Sequence, residues 1–582
     1  MKVTKNKNLV TLKYTLSQLP SSQHRAGLAG LVLMIRWLRE QPVFENLANT
    51  KLKVTSLNAD TVTIQFNLAG FTALMKTHFS AAFEERERDK KRANSKQKFQ
   101  TIKRKIRNPD TGKTKETTFY IYTDIVPQGD LVQSFEPISL RDSPSQSEVG
   151  LAEPIDSQNL IWTKLWQEVT WAVLRPRDLQ RLPFKAMAND TEPSEIEKIW
   201  NLLRDKPDSK VSLSSTYMLG TQAKNNEGAA FTDLARDRFL LNFWSYVARI
   251  YLPIIVDMKG KAKLNGYAIA IPDIRHLAAF CEHYPAILQQ RKTEELWGKP
   301  RSAIIRNLEE TGLDSLSSIH TYLSQIKSEL SIDKLLFGID VFHIFRPQDK
   351  PQSKPQILSI KRYLPYKNAI AEFTQLRNKL YSPLFRQQYW QNLTRDRPII
   401  EGFYALLRNS PTAETLKDKW FCQDFRTVFS PNNNAMEQKE TEVITSAENE
   451  KPDPTDNSES NAPKEISIES LLLRLLKTYT RHQLERRSGL KWDENWNDLE
   501  TKKLKEIAAY QNYKKKRQQI IIDLHHDLCR PRAVHEFLAY FAAKFTDVYQ
   551  YITTEEYLLL AKLIQTEPEQ IRVLCLLALP VL

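Results

Sequence analysis

Residues 430–466 of this 582-residue chain are mostly Asn, Glu, Ser, Asp and Pro, with almost no apolar side chains. A stretch that polar cannot bury itself and reads as a flexible linker. The segments on its two sides must therefore each build a core of their own. Their patterning differs accordingly: apolar residues recur at both strand and helix periods before the break, and only at helix periods after it. The fold class expected is α+β, with a mixed N-terminal domain containing β-hairpins over 1–430, a linker over 431–465 and an all-α helical bundle over 466–582. A chain of this length is too long for one core in any case, and its 41% hydrophobic and 10% aromatic content is enough to build several.

Val10, Leu12, Tyr14 and Leu16 alternate with Thr11, Lys13 and Thr15, the pattern of a strand buried on one face. A helix comes next. Ser21 and Ser22 are its candidate N-caps, and Leu28, Leu31, Ile35 and Leu38 form its apolar stripe. Gly27 and Gly30 lower helix propensity, so their presence predicts close approach of another backbone. A second strand region covers 52–66. The strongly charged stretch 84–115 contains Asn108-Pro109-Asp110-Thr111-Gly112, a turn between strands, and predicts a basic β-hairpin or projecting arm. Helices are predicted around Trp162, Leu165, Trp166, Val169 and Val173, and over 195–203, 230–252, 274–291, 300–309 and 315–329, with a second hairpin over 335–363. After the linker, helical stripes open at Leu471, Leu472, Leu475 and Leu476, continue through Leu504, Ile507, Tyr510 and Tyr513, and run over 533–551 and 554–579.

The formal charge of +15 favours a polyanionic partner, although an evenly solvated basic surface has the same net charge. The distribution matters more than the sum. Lys90, Lys91, Arg92, Lys96, Lys98, Lys103, Arg104, Lys105, Arg107, Lys113 and Lys115 crowd the predicted arm, dense enough to release counterions from phosphates and bind without sequence preference. A glycine-hinged loop, Gly220-Thr221-Gln222-Ala223-Lys224-Asn225-Asn226-Glu227, offers amides suited to base-edge acceptors. Gln222, Lys224, Asn225 and Asn226 are its candidate motif-reading residues; a connecting turn with local Asn hydrogen bonds is the other reading.

Several chemistries lack their residues. Cys281, Cys422, Cys529 and Cys575 show no zinc spacing, and neither a P-loop nor GxSxG is present. His525-His526-Asp527 resembles part of an HD metal site without the separated histidines and second aspartate, and His535-Glu536 lacks the histidine that a zinc-protease helix places three residues on. No cofactor, no metal and no enzymatic activity are expected. The N-terminus lacks the apolar core of a signal peptide and 573–582 is too short an apolar run to span a bilayer, so a cytoplasmic protein with no membrane partner is expected.

Several stretches together resemble one family. They are Leu19-Pro20-Ser21-Ser22-Gln23-His24-Arg25-Ala26-Gly27-Leu28-Ala29-Gly30-Leu31, then Leu165-Trp166-Gln167-Glu168-Val169-Thr170-Trp171 with Arg175, Asn225-Asn226-Glu227 with Phe231, Phe239-Leu240-Leu241-Asn242-Phe243-Trp244, Tyr251-Leu252-Pro253, Val256-Asp257, Gly260, and Gly266-Tyr267-Ala268-Ile269-Ala270-Ile271-Pro272-Asp273. All are similar to the Cas-eight large subunit of type I-B CRISPR Cascade, in the MYXAN branch. The resemblance implies a non-catalytic subunit at the foot of an RNA-guided complex. Such a subunit reads a protospacer-adjacent motif in double-stranded target DNA, starts strand separation and stabilises the R-loop, while base pairing to the guide reads the target. Its implied partners are CRISPR guide RNA, the Cascade backbone and 5′-handle-binding subunits, and either a helicase-nuclease for antiviral defence or the proteins of a CRISPR-associated transposon. A small subunit made from an internal start is also implied, and Met436 is suitably placed for it.

Within that setting, Ser22, Gln23, His24 and Arg25 open a helix whose free amides attract phosphate, suggesting contact with guide RNA or a neighbouring subunit; capping explains the serines equally well. Arg481, Arg486, Arg487, Lys514, Lys515, Lys516 and Arg517 suggest a bundle surface that holds the displaced strand, against a merely solvated helix face. Two other classes compete: a metal-dependent nuclease or integrase component, and a general basic RNA-binding scaffold.

Overall fold

A computed structural model describes residues 9–45, 49–88, 100–107, 114–137, 160–213, 217–221, 231–256, 262–345, 354–429, 468–489, 508–530 and 534–582. These form two compact units, 1–374 and 375–582. The first is mixed α and β and the second is helical, the fold class that the patterning predicts. The polar linker lies outside the described residues. The helices over 383–429, which precede the compositional break, belong by their contacts to the second unit.

The first unit begins with strand β1 (Val10–Thr15), which has Val10, Leu12 and Tyr14 inside, as its alternation predicts. Helix α1 (Ser22–Arg39) comes next, with Ser21 as its N-cap, accepting from the His24 amide. Strands β2 (Leu52–Leu57) and β3 (Thr61–Phe66) complete an antiparallel sheet in the order β1-β3-β2. The basic stretch forms a three-stranded sheet of β4 (Ala81–Arg88), β5 (Gln100–Arg107) and β6 (Thr114–Pro127), with β6 in the centre. The β5–β6 hairpin matches the expected arm; β4 adds a strand that the charge pattern concealed.

A short ribbon, β7 (Lys210–Ser212) with β8 (Thr232–Leu234), precedes the main sheet. That sheet contains β9 (Arg249–Val256), β10 (Ala262–Leu264), β11 (Tyr267–Ile274), β12 (Ile304–Ile305), β13 (Leu336–Phe345) and β14 (Gln356–Tyr363). Its main path runs β10-β9-β11-β13-β14, and β12 pairs parallel to β9. The β13–β14 pair is the predicted second hairpin.

Two helix expectations fail here. Over 230–252 the apolar spacing Phe239, Phe243, Val247, Tyr251 mimics a helix, yet only Ala235–Leu240 is α-helical and the chain has become β9 by Arg249. The β-branched and aromatic run Ile250, Tyr251, Ile254, Ile255, Val256, interrupted by Pro253, suits a strand better. Over 300–309, one 3₁₀ turn at Arg301–Ala303 and the β12 bridge replace the helix. In the second unit, the apolar stripe over 554–579 is broken at Pro568 into two helices, Thr554–Thr566 and Pro568–Ala578.

Helix α1 organises the first unit. Ala26, Leu28, Ala29, Leu31, Val32 and Ile35 are fully buried, and the helix packs against both β2 and β11. Burial on nearly all sides is why its stripe is wider than that of a surface helix. The two glycines meet backbone, as their sequence positions imply: a Cβ on Gly27 would lie 2.3 Å from the Leu240 carbonyl oxygen, and one on Gly30 would lie 2.1 Å from that of Phe243. Replacing Gly30 by Ala sets two effects against each other. Helix propensity alone would stabilise the protein by about 1 kcal/mol, whereas overpacking against rigid backbone destabilises by about 1–3 kcal/mol or more. Denaturant unfolding of Gly30→Ala is expected to show a loss of stability; a gain would contradict the close approach.

Candidate nucleic-acid interface

The segment carrying Gln222, Lys224, Asn225 and Asn226 lies outside the described residues; the residues on either side of it are held as follows. It belongs to an excursion rooted in the β7–β8 ribbon, where Leu213 N–H donates to the Phe231 carbonyl at 2.8 Å. Gln23, from the first turn of α1, holds the near side of the excursion. Its Nε2 donates to the Leu219 carbonyl at 3.1 Å and its Oε1 accepts from the Leu219 amide at 2.9 Å. His24 holds the far side, with Nε2 donating to Asp233 Oδ2 at 2.7 Å, while Nδ1 lies 2.7 Å from the Ser21 hydroxyl. Trp244 Nε1 donates to the Tyr217 carbonyl at 3.1 Å. The Tyr217 ring has the guanidiniums of Arg175 and Arg238 at 5.4 and 5.5 Å.

This geometry gives the start of α1 a different task from the RNA contact its free amides suggest. Ser22, Gln23 and His24 are 4%, 1% and 1% exposed, so their side chains face the unit's own interior. Arg25 is also engaged. Its Nε donates to Asp273 Oδ1 at 2.5 Å and its Nη1 donates to the Leu19 carbonyl at 2.8 Å. Asp273, on β11 and 1% exposed, also accepts from Arg362 of β14. A buried carboxylate is stable only when satisfied in this way, and the pair ties α1 to the main sheet.

On the arm, Lys103 is exposed on β5, where it pairs with Thr118 in register. Arg104, Lys105 and Arg107 lie on β5 and Lys115 on β6 by backbone position. Lys90, Lys91, Arg92, Lys96, Lys98 and Lys113 lie outside the described residues. The acids Glu84, Glu85 and Glu87 fall on β4, so among the described residues the basic character concentrates on the β5 side. Trp162 and Trp166 are buried at 5% and 6%, in keeping with core packing.

The second unit is built from α2 (Pro383–Thr394), α3 (Phe403–Asn409), α4 (Lys419–Phe429), α5 (Ile468–Ser488), α6 (Ala508–Cys529), α7 (Val534–Phe545), α8 (Thr554–Thr566) and α9 (Pro568–Ala578), together with shorter turns. The seven cations expected to hold a strand separate into three groups. Arg481, Lys514 and Arg517 line one cavity. Arg486 and Arg487 pair with Asp547 and Asp523 at 3.5 and 2.7 Å. Lys515 and Lys516 are exposed on α6. Arg426 and Lys477 also line the cavity. Arg426 escapes sequence reasoning because it lies before the compositional break; the basic residues flanking Trp420-Phe421 are its available signal.

The residues of the partial HD pattern are used structurally. His525 Nε2 donates to the Leu407 carbonyl at 2.8 Å, and Asp527 accepts from Lys544 at 2.7 Å. Among the described residues no group of three or more His, Cys, Asp or Glu is placed to hold a metal. No helix among them is long and apolar enough to cross a membrane.

Comparison with known proteins covers most of the chain. Residues 52–329 match the family model for the type I-B CRISPR Cas8b N-terminal domain, and 336–581 match that for the type I-B CRISPR Cas8b C-terminal domain. A search of curated proteins found no match. The chain is a CRISPR large subunit, and it belongs to the Cas8b family of type I-B systems.

Loss of Gln23 would leave both the amide and the carbonyl of Leu219 without their buried partner, a penalty of about 1–3 kcal/mol. Amide exchange at Leu219 is therefore expected to accelerate about tenfold or more in Gln23→Ala. Unchanged protection there would show that Gln23 does not hold the excursion.

Proposed function

We propose that this Cas8b chain is the non-catalytic large subunit of a type I-B RNA-guided DNA-binding complex, which reads a short motif in duplex DNA, starts strand opening and stabilises the R-loop. The observation that carries this reading is the excursion over 213–231. It bears a Gln-Ala-Lys-Asn-Asn run, and its flanks are fixed by Gln23 and His24 to α1, a helix buried on nearly all sides. A reading element must be held rigidly, because a misplaced amide loses its base contact. Asn and Gln suit minor-groove and adenine acceptors, and Lys224 suits a phosphate or an opened step. The arm strands β5 and β6 supply sequence-independent phosphate contact, which adds affinity and salt dependence but no specificity. The cations of the second unit suit the displaced strand. Guide RNA and the other Cascade subunits are the partners, and cleavage or transposition is left to proteins that the complex recruits.

A nuclease component would need a cluster of metal-binding acids and histidines, whereas His525 and Asp527 are tied to Leu407 and Lys544. A general RNA-binding scaffold would need no fixing of the flanks at Leu219 and Asp233. In the assembled complex, Asn225→Ala with Asn226→Ala is expected to weaken binding to motif-bearing duplex by about 1–3 kcal/mol per lost base contact, with little effect on motif-free DNA. Equal loss on both duplexes would assign the loop to the phosphates; an unchanged preference would remove it from motif reading.

A further inference from the structure

After Arg291 the chain forms a short two-stranded hairpin, in which Glu295 pairs with Pro300 and Leu296 with Lys299. Its turn is Trp297-Gly298, with φ of +56° and +71°. A hairpin turn with positive φ at both central residues is of the I′ kind, and it ordinarily takes Asn-Gly, Asp-Gly or Gly-Gly. An aromatic residue in the left-handed region is strained. Burial within the chain does not offset that strain, because Trp297 is 57% exposed, Leu296 beside it is 37% exposed, and residues 294–298 all face solvent.

The root of the hairpin is tied on both sides. On the incoming side the Lys292 carbonyl accepts from Trp162 Nε1 at 2.9 Å, and the Arg291 guanidinium stands 4.4 Å from the Trp162 ring centroid while donating to the Leu288 carbonyl at 2.7 Å. On the outgoing side Lys299 pairs with Glu168, whose carboxylate also accepts from the Tyr267 hydroxyl at 2.6 Å. Trp162 and Glu168 belong to one helix, Ile161–Val169. A strained, exposed indole on a tied stem suits the central anchor of an interface.

Charge selects the kind of partner. Of the hairpin's cations, Lys299 is paired with Glu168, Arg301 lies 3.5 Å from Glu294, and Lys292 is exposed at the root. Glu295 has no ion pair among the described residues, and its Oε1 stands 3.9 Å from where a Cβ on Gly298 would lie. A carboxylate beside the indole repels a phosphate backbone and attracts a basic side chain. The tip therefore suits a protein surface better than a nucleobase.

We propose that Leu296 and Trp297 are a docking tip through which this chain seats on a protein subunit of the guide-loaded particle, with the indole in an apolar pocket and Glu295 meeting a basic side chain at its rim. This contact presupposes the chain's place in that particle, but not the motif-reading role of the 222–226 segment.

Titration of the purified chain into guide-loaded particle assembled without it, in the absence of target DNA, tests the contact. Trp297→Asn is expected to weaken binding about tenfold or more. Asn tolerates positive φ, so the thermal midpoint of the free chain is expected to hold or rise. Glu295→Lys is expected to weaken binding as well. A benzophenone amino acid in place of Leu296 is expected to cross-link to a protein subunit, in a product that survives ribonuclease. Failure of the unaltered chain to bind would remove it from the particle, and this contact with it. If the unaltered chain binds and Trp297→Asn binds equally well, the docking tip alone is overturned. A lowered midpoint in Trp297→Asn would show that the ring packs within the chain and also overturns it. Tighter binding of Glu295→Lys, or a cross-link that ribonuclease releases, would assign the tip to guide RNA and contradict the proposal.

Discussion

The first unit depends on the contact between two backbones, where Gly27 and Gly30 of α1 meet the carbonyls of Leu240 and Phe243. That approach lets a helix buried on nearly every side lie against both β2 and β11. It also carries the first turn of α1 to where Gln23 and His24 reach Leu219 and Asp233. The core of the unit and the mounting of its candidate reading loop are thus one construction. Arg25 completes it by joining Asp273 of the main sheet, a buried carboxylate that Arg362 also satisfies.

Charge is used differently in the two units. In the first, Lys103, Arg104, Lys105 and Arg107 are set out along the backbone of the antiparallel strand β5. In the second, cations from α4, α5 and α6 are gathered around a cavity with one apolar side. An extended basic strand suits a backbone tracked along its length.

The sequence is most informative where a residue's role depends on local physics. The alternation of Val10, Leu12 and Tyr14 locates β1, and the paired glycines in an otherwise apolar helix announce a close backbone. The linker announces itself by composition. The sequence is least informative where partners come from far along the chain. Ser22, Gln23 and His24 are polar residues at a helix start and read as outward-facing, whereas the partners of Gln23 and His24 stand 196 and 209 positions away. Over 230–252 a short helix leading into a strand keeps apolar residues at helical spacing by coincidence. The convergence of Arg426 with Lys477 is likewise invisible, because the polar linker lies between them. The amide-rich segment is legible as a composition, and the anchoring of Leu219 and Asp233 on either side of it becomes visible only in three dimensions.

On the proposed reading, this chain gives an RNA-guided particle its grip on motif-bearing DNA. The most direct measurement is a titration of guide-loaded complex, assembled with and without the chain, against duplexes that differ only in the motif beside a matched target. The particle containing the chain is expected to prefer the motif-bearing duplex, and this preference is expected to disappear when the chain is omitted. Equal affinity and equal preference in its absence would contradict that reading.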